Sequence, residues 1–304
     1  MRYLIEHQTR LAFPRPVREH QCELRVAPRP NGQRIVELEL TIEPAAELAT
    51  YVDAFGNTVH WFGVVEPHDA LTTTLRARVE TALANPFAFD AVEPAHERTW
   101  LDEALWREPR LWDYVFHRSP ATPDLAKLRF AKPFPAQAAG APLLQSVQDA
   151  SEWVREHLRY DAEATDVHAP LADVLAAGAG VCQDFAHLLV AIVRAWGVPA
   201  RYAAGYVDPL GGAAGDEAED EDETGDETDA DTGRRAATHA WAEVLVPGAG
   251  WRGFDATSGL VVNDTYVTVA VGRDSTDAAP QRGSFKGEDP GSEPEVCVRV
   301  TRED

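Results

Sequence analysis

Residues 178–189 read GAGVCQDFAHLL and set a single cysteine, Cys182, between a glycine-rich turn and an apolar run with helical spacing. A thiol there could fill a core, pair in a disulfide, bind a metal or act as a nucleophile. The thiolate is the nucleophilic form, and a helix N-terminus favours it, because unpaired backbone N–H groups and the macrodipole stabilise negative charge. A nucleophilic cysteine also needs a base, usually a histidine on a neighbouring rigid element, oriented in turn by an acid or amide acceptor. THAWAEVLV (238–246) and WRGFDATSG (251–259) supply both: His239 opens one strand, and Asp255 lies on its hairpin partner. Asp255 could also serve as a cap for the turn at Thr257-Ser258-Gly259.

The other readings of the thiol find less support. Cys22, Cys182 and Cys297 cannot all pair and lie far apart, so free thiols are expected, with a Cys22–Cys297 bridge as the remaining alternative. The histidines form no HExxH and no i, i+4 helical pair, and no cysteines stand in pairs, so no metal is expected. Thiol chemistry of this kind requires no cofactor.

Hairpin register decides whether His239 and Asp255 can meet, because strand side chains alternate between faces. A four-residue loop, with Val246 opposite Trp251, would turn Asp255 to the face away from His239. An odd loop or a β-bulge is required for them to share a face; Val246 opposite Gly250, for example, would make them diagonal neighbours roughly 7–8 Å apart and within reach of each other.

These residues need elements to hold them. PLADVLAAGAGVCQDFAHLLVAIVRAWGVPARYAAGYV predicts a short helix, a Gly-Ala-Gly turn, a helix over about 182–196, a Gly-Val-Pro stop and a strand. The longer helix is apolar on nearly every face and is therefore expected to be buried. Upstream, ERTWLDEALWREPRLWDYVFHR and LLQSVQDASEWVREHLRY predict helices, with Trp100, Trp106, Trp112, Tyr114 and Trp153 as core residues. Residues 1–90 read as strands and turns: RYLIEHQTRLAF, RIVELELTI with Ile35, Glu37 and Glu39 opposed to Val36, Leu38 and Leu40, a strand pair around Gly56-Asn57, and LTTTLRARVE. VNDTYVTVAVG and PEVCVRVTRE predict two further strands, assigned to the second unit. The fold class is α+β: an N-terminal antiparallel β domain over 1–90, then a unit over 91–304 with helices packed on an antiparallel sheet.

The formal net charge of −22 disfavours nucleic acid or an anionic membrane as partner. Half of it is local, since residues 216–231 hold eleven acids and no base. The surrounding insert, 213–233, reads as a solvated, disordered loop, with a calcium site or gate as the alternative. The longest apolar run, LLVAIV, is too short to span a membrane, and MRYLIEHQTR lacks the apolar core of a secretory signal. Cytoplasm is the expected compartment.

GVCQDFAHLLVAIVRAWGVPARYAAGYV followed by THAWAEVLVPGAGWRGFDAT resembles the transglutaminase-like superfamily of papain-like cysteine enzymes over about residues 140–275. YVDAFGNTVHWF and the strands around it look like the β-rich N-terminal domain of bacterial members. The resemblance implies a papain-like core with Cys182, His239 and Asp255 as the catalytic residues. Asp184, Trp241 and Glu243 share those motif blocks and are expected to pack and hydrogen-bond around the site; His187 reads as a core or neighbouring histidine. The implied activity is acyl transfer on protein or peptide amides through a thioester, with water (peptidase, amidase) or an amine (transglutaminase) as acceptor. The alternative is a non-catalytic binding or scaffolding protein of the same fold. The acidic insert departs from the short loop usual at that point, where chain length can grow at small entropic cost.

Overall fold

A computed structural model describes residues 1–30, 32–166, 168–208, 235–236, 238–287 and 294–303; the acidic insert 213–233 lies outside the described residues. The chain opens with β1 (Arg2–Leu24), β2 (Gln33–Glu43), β3 (Ala49–Val52), β4 (Thr58–Val64) and β5 (His68–Thr81). β1 is long enough to serve two neighbourhoods. Its first half pairs with β5, and its second half, beyond the Phe13-Pro14-Arg15-Pro16 interruption, pairs with β4. Proline donates no ladder hydrogen bond, so the pairing breaks there and the register shifts between Ala12 and Val17. Tyr3 and Ile5, alternating along the first half, are fully buried. β2 departs from the simple alternation expected of it. A register shift between Ile35 and Glu37 leaves Val36 out of the β2–β5 ladder, as the extra residue of a bulge is, and Val36 is 44% exposed.

The helical region contains α1 (Pro94–Arg107), α2 (Asp113–Phe116) and α3 (Leu143–His157), followed by β6 (Arg159–Tyr160), α4 (Leu171–Ala177), β7 (Ala179–Gly180) and α5 (Cys182–Ala195). α1 buries Glu97, Leu101 and Leu105, one stripe at i, i+4, i+8, so Trp106 falls on another face and is 84% exposed. That corrects the expectation of a core position for Trp106. Tyr114 is buried as expected, whereas Trp112 is exposed and stacks on Phe116 with ring centroids 5.2 Å apart. α5 is buried from Asp184 to Arg194, as its apolar composition requires.

The second sheet is built from β8 (Ala200–Val207), β10 (Thr238–Val246), β11 (Gly250–Asp255), β12 (Leu260–Val261) and β13 (Tyr266–Gly272), in the order β12-β11-β10-β8-β13 and antiparallel throughout. α5 packs on it with Leu188, Leu189 and Ile192 in one apolar cluster with Ala200, Ala242, Val244 and Phe254. Trp241 fills the sheet's other side with Ala203, Val262, Tyr266 and Val271.

The C-terminal strands do not join this sheet. β14 (Gln281–Lys286) and β15 (Glu295–Glu303) both pair with β1, and β9 (Arg235–Ala236) pairs with β15. The sequence assigned the last strand to the second unit; among the described residues it belongs to the eight-stranded N-terminal sheet. The physical reason is that β1 offers a second edge along most of its length, and non-local pairing leaves no trace in local pattern. A shared core follows, in which Tyr3 and Ile5 from the first sheet, with Val26 just beyond β1, cluster with Ala186, Tyr202, Tyr206 and Ala240 from the second unit and pack against Cys182. No described helix is long and apolar enough to cross a membrane.

Candidate active site

The local sequence around Cys182 builds a rigid helix entrance. Gly178 ends α4 with a left-handed φ of 65°, a conformation that favours glycine. β7 pairs in parallel with β6, placing Gly180 beside Tyr160. A Cβ on Gly180 would come within 2.6 Å of Asp184 Oδ2, so only glycine lets the chain approach its own helix this closely. Asp184, in the first turn of α5, accepts a hydrogen bond from the Val181 N–H at 2.9 Å and one from Thr165 Oγ at 2.6 Å, both on Oδ2. Among the described residues its Oδ1 is buried without a partner, and burial raises its carboxyl above the ordinary range. Cys182 follows this turn as the first residue of α5, a half-buried free thiol.

His239 and Asp255 come from the β10–β11 hairpin. Its loop is the three residues Pro247, Gly248 and Ala249, and Val246 stands opposite Gly250. Gly248 and Gly250 have φ of 80° and 75°, left-handed values that let this short loop close. The loop is odd and the described ladder carries no bulge, which puts His239 and Asp255 on the same face. His239 Nε2 donates to Asp255 Oδ2 at 2.8 Å, and Cys182 lies near enough to the same imidazole to favour its charged form. With Nε2 used by the carboxylate, Nδ1 is the nitrogen left for the thiol.

Asp255 is 1% exposed and surrounded by donors. Oδ1 accepts from the N–H groups of Thr257 at 2.9 Å and Ser258 at 3.4 Å; Oδ2 accepts also from Ser258 Oγ at 2.7 Å and Tyr266 OH at 2.9 Å. The turn-capping and histidine-facing readings of Asp255 are therefore both observed. Burial alone would raise its pKa, but the hydrogen bonds and charge of His239, with Ser258 and Tyr266, outweigh burial and hold it below the ordinary value. For His239 burial opposes the charged form, yet Asp255 and then Cys182 prevail and push its pKa up to about 10.

The neighbours fall into clear places. Trp241, fully buried, sits between two glycines: a Cβ on Gly253 would approach within 3.0 Å of its Cδ1, and one on Gly205 within 2.9 Å of its Cη2. Glu243 is directed to Arg201, 2.7 Å from Nε, and that guanidinium lies 4.0 Å from the Trp251 ring centroid. His187 is buried against Tyr202 and accepts the Ser275 N–H at 3.1 Å on Nε2, with burial pushing its pKa down to about 4. Cys22 is buried, which drives its thiol up to about 12, and Cys297 is exposed; both are free. Sequence reasoning missed Ser258, Tyr266 and Thr165 as partners in this region. Ser258 could have been flagged by the turn motif, while nothing local marks Tyr266 or Thr165.

Comparison with known proteins agrees with this architecture. Residues 133–256 match the transglutaminase-like superfamily core, and residues 3–80 match the bacterial transglutaminase-like N-terminal region. The chain belongs to the transglutaminase-like superfamily. It is 30% identical over 305 residues to an uncharacterised protein of Mycobacterium leprae, covering 99% of both chains. An uncharacterised protein of Mycobacterium tuberculosis strain H37Rv is 31% identical, with 98% of this chain and 92% of that one covered. Among solved structures, a chain from Cytophaga hutchinsonii provisionally described as a cysteine protease superposes with a TM-score of 0.71 at 21% identity, covering 100% of this chain and 92% of its own. That likeness is one of fold: an α+β papain-like architecture with a β-rich N-terminal region.

Proposed function

We propose that this superfamily member is a cysteine-dependent acyl-transfer enzyme acting on protein or peptide amides, with Cys182 as nucleophile, His239 as proton carrier and Asp255 as orienting acid. The observation that carries the reading is the 2.8 Å hydrogen bond from one imidazole to the Asp255 carboxylate, with Cys182, at the start of a buried helix, near enough to that imidazole to favour its charge. A scaffold has no need of that arrangement. The remainder follows from the chemistry of the groups.

His239 retains its proton up to about pH 10, so near neutrality an imidazolium faces the sulfur. The thiol proton resides on that imidazole, so the Cys182 thiolate attacks the amide carbon, and the carbonyl π electrons move onto oxygen. The backbone N–H of Cys182, at the helix start, offers the oxyanion one donor. Collapse of this intermediate breaks the C–N bond as His239 Nδ1 protonates the leaving nitrogen, which departs as an amine or ammonia. A thioester on Cys182 remains beside a neutral imidazole. That imidazole then takes a proton from water or from an incoming amine, whose attack on the thioester yields an acid or a new amide and expels the sulfur as thiolate, which restores the imidazolium–thiolate pair. Asp255 stays ionised throughout and keeps Nε2 protonated.

The test is to trap the thioester. Incubating the protein with glutamine-containing and generic peptide amides, followed by acid quench and intact mass measurement, should show an adduct on the wild type and none on Cys182→Ala. Adding a primary amine then separates the outcomes, because amide products indicate transfer and acids indicate hydrolysis. No adduct with any amide, together with unaltered binding of peptides by Cys182→Ala, would favour the non-catalytic binding reading.

A further inference from the structure

Three side-chain donors converge on a single carboxylate oxygen. Asp255 Oδ2 accepts from His239 Nε2, Ser258 Oγ and Tyr266 OH at 2.8, 2.7 and 2.9 Å. Two backbone N–H groups of the turn take only Oδ1. The turn therefore fixes one end of the carboxylate, while the two hydroxyls share the oxygen that faces the imidazole.

The two hydroxyls reach it by different routes. Ser258 belongs to the turn that follows β11. Tyr266 opens β13, at the opposite edge of the sheet order from β12, and only four residues (262–265) connect those edges. The sheet must curl for the phenol to reach Asp255, and Trp241 fills the curl, packing edge-on to Tyr266 at 5.4 Å between centroids. Both rings lie beside His239, at 6.4 Å for Trp241 and 6.5 Å for Tyr266. Burial, and after it the Asp255 charge, lifts the Tyr266 phenol well above its ordinary range, so it remains a donor at every working pH.

We propose that Tyr266 and Ser258 are positioning residues for the acyl-transfer chemistry: their hydroxyls hold Asp255 Oδ2 on His239 Nε2, which keeps Nδ1 aimed at the Cys182 sulfur. Their part in turnover rests on the proposed role of Cys182, whereas their hold on the carboxylate can be measured without turnover. A hydroxyl that donates to a carboxylate favours its ionised form, so losing one lets Asp255 protonate at higher pH.

The experiment uses the full chain as Tyr266→Phe, Ser258→Ala and the double variant, with 15N-labelled histidine. The His239 Nε2 resonance, assigned by its loss in His239→Ala, inflects on acidification when Asp255 takes up a proton. That inflection should move to higher pH in each single variant and further in the double. On any amide that the wild type turns over, kcat should fall about ten-fold per hydroxyl with KM nearly unchanged, as expected for a lost hydrogen bond to a charged group. An inflection that stays in place in folded Tyr266→Phe and Ser258→Ala overturns the proposal, whatever the kinetics. Should Tyr266→Phe fail to fold, Ser258→Ala alone decides, since it removes a donor to the same oxygen without disturbing the Trp241 packing. A shifted inflection in a protein that forms no acyl adduct would keep the positioning role and count against the proposed function.

Discussion

At the scale of the residue, the behaviour of His239 follows from what it touches. Its pKa of about 10 lies above the ordinary 6.5, so the charge it carries in the fold stabilises the native state fully below 6.5. That contribution is lost as pH rises through about 10. Urea midpoints of wild type and His239→Ala should thus differ most near neutral or mildly acidic pH and converge above pH 10; a gap that persists in alkali would show that the loss is one of packing. Asp255 has the opposite sign. Its depressed pKa contributes stability above the unfolded value of 3.8, and this disappears as pH falls through its folded value. The chain also carries its own controls for thiol reactivity, since Cys22 is buried and Cys297 exposed. In a pH series of iodoacetamide labelling read by peptide mass spectrometry, Cys182 should react faster than Cys297 at mildly acidic pH. His239→Ala should cut that rate about ten-fold or more by removing the cation beside the sulfur. Equal rates for both thiols in both proteins would contradict the pairing of Cys182 with His239.

Elements matter through spacing and through what their glycines permit. β8 and β10 run antiparallel with His239 opposite Gly205, and the Trp241 indole lies over that glycine. A Cβ at 205 would also sit inside the van der Waals radius of the Val267 carbonyl oxygen on β13, which is backbone and cannot yield cheaply. Gly205→Ala should therefore cost about 3 kcal/mol or more, toward the upper end of overpacking. Denaturant unfolding would measure it, and a variant as stable as wild type would mean that β8 and β13 can separate without loss. The hairpin loop works in the same way. Had Pro247–Gly250 formed a four-residue loop, the chemistry of His239 and Asp255 would be unchanged and the two could not touch.

For the whole molecule, the decisive feature is how the N-terminal sheet is attached. Asn57, fully buried, forms a reciprocal pair with β13: the Val271 N–H donates to its Oδ1 at 2.8 Å, and its Nδ2 donates to the Val271 carbonyl at 2.8 Å. Gln33 does the same to Thr268, donating at 2.6 Å and accepting at 3.1 Å. Two amide side chains thus cap the outer edge of β13 as a neighbouring strand would. Asn57 Oδ1 also accepts from Arg29 Nη1 at 2.8 Å, so its loss would leave a buried cation with only the Phe55 carbonyl as acceptor among the described residues and would unpair two backbone groups. Asn57→Ala should destabilise the protein by about 3 kcal/mol or more. It should also separate unfolding into two steps by calorimetry, because β13 is part of the sheet that carries His239. A single unshifted transition would show that the shared core around Tyr3 and Tyr206 suffices to couple the two sheets.

The sequence by itself determined much of this, wherever the controlling physics is local. A glycine-rich turn before an apolar run defines a buried helix with its cysteine at the start, and strand alternation with turn residues defines the hairpin carrying His239 and Asp255. It also limited the hairpin, since alternation lets the histidine and aspartate meet only through an odd loop or a β-bulge. The tertiary structure chose between these, because loop closure depends on φ at Gly248 and Gly250 and on the space beside Asp90, where a Cβ on Gly248 would press against its carbonyl oxygen. It alone brought Tyr266 to Asp255 and returned β14 and β15 to β1. It alone explains Arg194, a charged residue fully buried on an apolar helix, whose Nε donates to the carbonyls of Tyr114 at 2.9 Å and Ala200 at 3.0 Å. In each case the partner is distant in the chain or defined only by packing, and a non-local contact leaves no period, turn signal or spacing by which one sequence can announce it.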